Sequence, residues 1–375
     1  MKRKRAILSP ARLLSKFGSK LIILLCLVLV LRLHFHTTFQ SLMHSFYLSS
    51  RVFGDDPFKG TPKIAFLFLA RRNLPLDFLW GTFFKNVDAG MFSIYVHSEP
   101  GFDFNESNTR SRFFYGRHLN NSIQVAWGES SMIEAERLLF EAALDDPANQ
   151  RFVLLSDSCI PLYNFSYIYS YLMSSPKSFV ESFIDVKENR YSPEMSPVIP
   201  KEKWRKGSQW ITLIRRDAVI VVDDDIVFPV FRKFCKRWPP ANLKMRWQML
   251  QAFELFRNIQ NGHNCIPDEH YVQTLLKIGG LENELERRTL TYSLWNQSDE
   301  GGEMSLWHPF HFDYADAGPQ LIQEIKVINH VYYKYEDQKE PCHVNFTTAP
   351  CFLFARKFTP RAADRLLTER SIDLQ

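Results

Sequence analysis

No CxxC pair and no Cys/His cluster of metal-ligand spacing occurs among the six cysteines, which excludes a zinc ribbon or finger. The chain has no internal repeat and no low-complexity tract, so solenoid and propeller arrays are excluded as well. Acids are missing from residues 1–32, where eight bases stand: Lys2, Arg3, Lys4, Arg5, Arg12, Lys16, Lys20 and Arg32. Without those eight, bases no longer outnumber the 41 acids, so the net charge of +5 belongs to a tail and not to a nucleic-acid-binding face. Long apolar runs are scarce: the longest, Leu21 to Leu31, has 11 residues, against roughly 20 needed to span a bilayer core. Phenylalanine is abundant, with 32 residues in a chain of 375 that is 45% apolar and 23% charged, the composition of a globular protein with an aromatic-rich core.

The apolar run reads as a signal anchor once Leu33, Phe35 and Phe39 extend it over residues 21–39, with Lys20 and Arg32 snorkelling toward the interfaces. The bases ahead of it fix the N-terminus on the cytosolic side. A small-x-small cleavage site is missing; Arg32, His34 and His36 stand in its place, so the anchor is expected to remain uncleaved. A short span suits the thinner early secretory membranes. These features predict a single-pass type II protein of the Golgi membrane with a luminal body. Sequons at Asn105, Asn120, Asn164, Asn296 and Asn345 agree with a luminal body that carries glycans. Beyond Cys26, five cysteines remain, namely Cys159, Cys235, Cys265, Cys342 and Cys351. An odd number in an oxidising lumen leaves at least one unpaired within the chain, and Cys159, in an apolar setting, reads as a buried free thiol.

Residues 1–20 form the basic tail, 21–39 the anchor, 40–60 a short stem and 61–375 the catalytic body. Ile64 to Leu69 is a continuous apolar run, which suits a strand buried on both faces. Residues 76–86 read as a helix, Phe92 to His97 and Ile123 to Ala126 as strands, and Ser131 to Leu144 as an amphipathic helix with a Ser131/Glu134 capping box. Phe152 to Leu155 is a fourth strand. This alternation predicts a parallel α/β sheet. Further on, strands are expected at Trp210–Ile214 and Phe352–Phe354. Helices are expected at Asp217–Asp225, 241–262, from Asp268 to Leu276, and at Pro360–Leu367.

In an open α/β sheet, ligands bind past the carboxyl ends of the strands. Arg71, His97, Glu99, Trp127 and Asp157 stand there, a mixture that suits a nucleotide: charge for phosphate, carboxylate for ribose or base, and a ring for stacking. A second cluster, Cys265 to Tyr271, presents Glu269 as a candidate general base for a hydroxyl that must lose its proton as it attacks. A third, Trp204-Arg205-Lys206-Gly207-Ser208-Gln209-Trp210, mixes cations, hydrogen-bonding groups and rings, as sugar sites do. A fourth, Cys351 to Phe358, offers Arg356 and Lys357 after a strand as an anion site for a leaving diphosphate.

In this order, the clusters resemble the core-2/I-branching β-1,6-N-acetylglucosaminyltransferase family, glycosyltransferase family 14, and in particular its plant-type branch. The resemblance covers about residues 60–370. It rests on Ile94 to His97, Leu155 to Leu162, Gly207-Ser208-Gln209-Trp210, Pro267 to His270 and Phe354 to Phe358. It implies a GT-A-like fold, an inverting mechanism and no metal cofactor. Glu269 matches the family's base, Lys357 its diphosphate-binding lysine and Glu99 an acid that contacts the nucleoside. Cys342 and Cys351, nine apart, match a family disulfide. Two departures stand out. His343 to Pro350 carries no arginine where animal members hold a second phosphate ligand, which leaves Arg356 as the candidate substitute. Cys159 stands where those members have an aspartate, with the acid displaced to Asp157.

The expected function is therefore transfer of a sugar, N-acetylglucosamine by family, from a UDP-sugar to a hydroxyl of a glycan or glycoprotein. Arg71, His97, Glu99, Trp127, Asp157, Arg356 and Lys357 are expected at the donor. Trp204, Arg205, Lys206, Ser208 and Trp210 are expected at the acceptor. Two alternatives compete. One is a metal-dependent transferase that uses the Asp-x-Asp of Asp223–Asp225. The other is a luminal glycan-binding protein that kept the fold and lost turnover.

Overall fold

A computed structural model describes residue 27 and residues 58–185, 190–237, 264–295, 309–333, 336–344 and 347–374. The chain divides into Met1–Gly54 and Asp55–Gln375, and the account below concerns the second unit. The expected anchor over 21–39 and helix over 241–262 lie outside the described residues, Leu27 excepted. Among the described residues no helix is long and apolar enough to cross a membrane.

The architecture is mixed α/β. The main sheet has the order β2 (Phe92–His97), β1 (Lys63–Leu69), β3 (Asn149–Ser156), β5 (Thr212–Ile214). β1 pairs in parallel with β2 and β3, as the alternation predicts, while β5 runs antiparallel to β3. Every residue of β1 after Lys63 is buried, so both of its faces are covered. On one face, α1 (Asp77–Phe84) sets Trp80, Phe83 and Phe84 against Phe66 and Phe68. Ring centroids there lie 5.0–6.0 Å apart, mostly edge to face. Each such buried ring contributes about 1.5–3 kcal/mol through apolar burial. The phenylalanine excess is thus largely a packing feature. α2 (Ser131–Leu144) packs against β1, β2 and β3.

A smaller sheet joins β4 (Ile160–Pro161), β11 (Phe354–Arg356) and β6 (Thr291–Ser293), in that order. Between them in the chain come α3 (Phe165–Ser174), α4 (Arg215–Asp223), α5 (Val227–Phe234) and α6 (Tyr271–Ile278). α7 (Pro319–Lys326) precedes the hairpin of β7 (His330–Tyr333) and β8 (Gln338–Pro341), and then β9 (His343–Val344) and β10 (Thr347–Thr348). α8 (Pro360–Thr368) closes the chain, its first turn capped by Thr359, whose hydroxyl accepts from the Ala362 amide.

Several expectations need correction: the strands expected at Trp210–Ile214 and Phe352–Phe354 are Thr212–Ile214 and Phe354–Arg356, and the helix expected at Asp217–Asp225 is Arg215–Asp223. Ile123–Ala126 is not a strand. The Ile123 amide donates to His97 Nε2 and the Ala126 amide to Ser131 Oγ, while the ladder position beside Val96 goes to His118. The Ser131/Glu134 capping box is not formed, because Ser131 is already helical and its hydroxyl is spent on Ala126. Residues 267–269 form a 3₁₀ turn, with the α-helix starting only at Tyr271.

Two disulfides form, Cys342–Cys351 and Cys235–Cys265, and Cys159 is a buried free thiol. The first bridge matches the one implied by the resemblance; the second was not assigned from sequence. The bridges close loops of very different length, with separations of 30 for Cys235–Cys265 and 9 for Cys342–Cys351. Replacing Cys235 and Cys265 together by serine should cost roughly 3–4 kcal/mol, against roughly 2–3 kcal/mol for Cys342 and Cys351, on loop-closure entropy. Denaturant titration of the two double variants checks this, and an equal loss would show that loop length does not set the difference. The sequon Asn105 and Asn120 side chains are exposed, and Asn164 caps α3 by accepting from the Tyr167 amide. Asn296 and Asn345 lie outside the described residues.

Candidate active site

A cavity of about 540 Å³ opens where the smaller sheet meets the loops before β5 and α6. Its lining includes the segment Lys206-Gly207-Ser208-Gln209-Trp210, the turn residues Ile266, Asp268 and Glu269, and Arg356 and Lys357. Trp127, Trp295 and Tyr332, all substantially exposed, stand at its rim. The first two segments are stitched together: the Gly207 amide donates to the Glu269 carbonyl at 2.9 Å. This approach requires glycine, since a Cβ at 207 would lie 1.8 Å from the Glu181 carbonyl oxygen.

Glu269 sits on the 3₁₀ turn, where Pro267 at the turn's first position pre-sets the backbone. Its Oε2 accepts from Arg190 Nη1, and Lys206 Nζ lies 3.9 Å away. The carboxylate is therefore held by cations from two other segments while remaining about a quarter exposed to the cavity. Its neighbour His270 faces the other way. That ring is fully buried, bonds the Arg205 carbonyl through Nδ1 at 2.8 Å and stacks on Trp204 at 4.4 Å. Burial, and then Arg190, hold the imidazole well below its usual range, so it is neutral.

The Arg356–Lys357 pair leaves β11 at the carboxyl end of β3. The Phe358 amide donates to the Ser158 carbonyl, which ties the two strand ends together. Arg356 is partly buried and lies over the Trp210 ring, 4.3 Å from its centroid. Burial, then Arg356 and Arg71, push the Lys357 ammonium down to about 8, while Asp157 acts in the opposite direction. Arg71 and Asp157 thus belong to the electrostatic surroundings of Lys357 without lining the cavity.

The other expected donor residues are dispersed. Glu99 is exposed and pairs with Arg72 at 3.4 Å. His97 is buried, and burial, helped by His118, pushes it down to about 4; its neutral Nε2 accepts from Ile123. Trp127 lines the cavity, its ring covered by the Arg237 guanidinium at 4.5 Å. Of the expected acceptor residues, Lys206, Ser208 and Trp210 line the cavity. Trp204 is packed between Phe231 and His270, and Arg205 is a buried partner of Glu282 at 2.6 Å. Asp223–Asp225 is not part of the lining; Asp224 instead caps α5, accepting from the amides of Ile226, Val227 and Phe228.

Several lining residues escaped sequence reading: Glu181, Arg190, Arg287 and Arg288. Burial raises the Glu181 carboxyl above the usual range. Arg288 reaches the Cys342–Cys351 loop, donating to the Cys351 carbonyl at 2.8 Å and to the Tyr171 hydroxyl. Nothing in their local sequence distinguishes these residues from surface charges.

Comparison with known proteins decides the family. The model of the core-2/I-branching enzyme family matches residues 64–326. The chain belongs to that family. It is 53% identical over 309 residues to "Glycosyltransferase BC10" of Oryza sativa subsp. japonica, across 82% of this chain and 76% of the relative. Among solved structures, an active-site mutant of LgtC aligns over 78% of this chain and 86% of its own at 11% identity. Its TM-score of 0.32 is too low to carry a structural conclusion.

Proposed function

We propose that this member of glycosyltransferase family 14 is an inverting, UDP-sugar-dependent transferase with a GT-A-like fold. It moves N-acetylglucosamine to a hydroxyl of a glycan or glycoprotein. The observation that carries this reading is the cavity whose lining contains both the Glu269 carboxylate and the Arg356–Lys357 cations. An acceptor hydroxyl enters beside Glu269. Its oxygen attacks the anomeric carbon as Glu269 takes its proton, and the bond to the diphosphate breaks on the opposite face, which inverts the centre. UDP departs toward Lys357 and Arg356, whose positive charge meets the charge that develops on the leaving oxygen. These cations take the part that a divalent ion plays at an Asp-x-Asp motif elsewhere, so no metal is required. Lys206, Ser208 and Trp210 bind the acceptor. The basic tail and the 21–39 segment anchor the enzyme as a type II protein in the Golgi membrane. The two disulfides suit the oxidising lumen in which the body would lie.

The test uses the detergent-solubilised full chain with a panel of UDP-sugars and a glycan acceptor array, reading UDP release and product mass. Transfer from UDP-N-acetylglucosamine at equal rates in EDTA and in manganese is the expected result. Activity that vanished in EDTA and returned with manganese would overturn the metal-free mechanism. Binding of glycans with no turnover of any donor would favour a lectin.

A further inference from the structure

Two carboxyl groups of the cavity lining, Asp268 and Glu181, have no part in the mechanism above. Asp268 lines the cavity beside Glu269, yet is only 8% exposed. Its Oδ1 is buried and meets no hydrogen-bond partner among the described residues. A buried carboxyl oxygen without a donor is costly, so such an atom on a cavity wall calls for a ligand that supplies one. Its neighbours indicate which part of the ligand. Glu269, the proposed base, is adjacent in the chain. Arg356, a proposed leaving-group cation, acts on Asp268 electrostatically. In a displacement, what lies between the attacking hydroxyl and the departing diphosphate is the transferred sugar. Its edge is a row of hydroxyl donors and, in an acetamido sugar, an amide N–H.

We infer that Asp268 is a sugar-binding residue of this site: its Oδ1 accepts a hydrogen bond from a hydroxyl or amide N–H of the sugar being transferred, and so selects the donor. The inference rests on the transferase reading above and deepens it. Glu136 lies close enough to feel the Asp268 carboxyl electrostatically. Glu136 of α2 is buried, and its Oε1 accepts from Gln209 Nε2 at 2.7 Å. Gln209 itself lines the cavity. Burial, and then Glu269, raise the Asp268 carboxyl to about 7. Burial, and then Asp268, raise Glu136 as well. Oδ1 can accept in either protonation state.

Asp268→Ala removes the carboxyl oxygens without adding bulk to the cavity lining. Replacing an orphaned carboxyl by an apolar group should leave the melting midpoint of the full chain unchanged or raised. Affinity for UDP, read by calorimetry, should stay within about twofold, while kcat/KM for the UDP-sugar falls about 10- to 100-fold. Discrimination among UDP-sugars that differ at one hydroxyl or at the acetamido group should narrow, because a site built to bond a substrate donor rejects analogues lacking it. Asp268→Asn, which keeps an acceptor oxygen, should recover much of the loss. Equal losses for UDP and UDP-sugar, unchanged discrimination, or a midpoint lowered by many degrees would each overturn the inference. A wild-type chain that bound neither UDP nor any UDP-sugar would instead defeat the transferase reading itself, and Asp268 with it.

Discussion

Glu269→Gln should reduce transfer about 10²- to 10⁴-fold, the usual cost of removing a general base. The amide is isosteric with the carboxylate and still accepts from Arg190, so the 3₁₀ turn and the Gly207–Glu269 backbone bond should survive. What it lacks is basicity: the acceptor hydroxyl would have to attack while still holding its proton. UDP affinity should change little, because Glu269 is assigned to the acceptor hydroxyl and the diphosphate to Arg356 and Lys357. The pair of measurements is turnover by UDP release and UDP binding by calorimetry. Near-normal turnover in the variant would move the base away from Glu269.

Arg190 and Lys206 make this prediction sharper. Arg190 donates to the Glu269 carboxylate and Lys206 lies 3.9 Å from the same oxygen, which favours a positioned base over a mobile surface acid. The result should therefore be a loss in kcat with an intact fold, and a thermal midpoint within a few degrees of wild type.

The parts of the fold that sequence reading captured are those whose burial is written locally. β1 is an unbroken apolar run because both of its faces are covered, and α2 spans the residues its apolar spacing predicts. Ile123–Ala126 has the residues of a strand, yet its amides are claimed by a histidine ring and a serine hydroxyl; no local pattern reveals that competition. β5 is shorter than its apolar stretch because it pairs with β3 at only three positions.

The site divides along the same line. Lys206 to Trp210, Asp268–Glu269 and Arg356–Lys357 are short chain segments, each legible as a motif, and each reaches the cavity. Trp204 and Arg205 belong to the same motif but point into the packing, because Phe231 and Glu282 await them from distant segments. Arg190, Glu181 and Glu136 acquire their place only through tertiary approach. Glu136 lies 73 residues from the glutamine it bonds, a distance over which spacing carries no information. The Cys235–Cys265 bridge is similar: cysteine counting requires a pair but does not choose it.

Lys357→Ala should lower kcat about 10²- to 10³-fold, the scale expected when one preorganised group aimed at developing charge is removed. UDP builds negative charge as the glycosidic bond breaks, so a fixed cation is worth more in the transition state than in the ground state. A rise in KM with kcat unchanged would mean that Lys357 serves only ground-state binding. The depressed ammonium adds a second test. With a value near 8 in the free enzyme, Lys357 is charged below that pH and loses its proton as pH rises through it. The rate constant kcat/KM, which reports free-enzyme ionisations, should therefore fall above about pH 8. Lys357→Arg keeps a charge that does not titrate in this range, though its planar fork fits the site differently. That variant should retain part of the rate and lose the alkaline limb. An alkaline limb that persisted unchanged in Lys357→Arg would assign the titration to another group and leave the cationic role of Lys357 resting on the alanine variant alone.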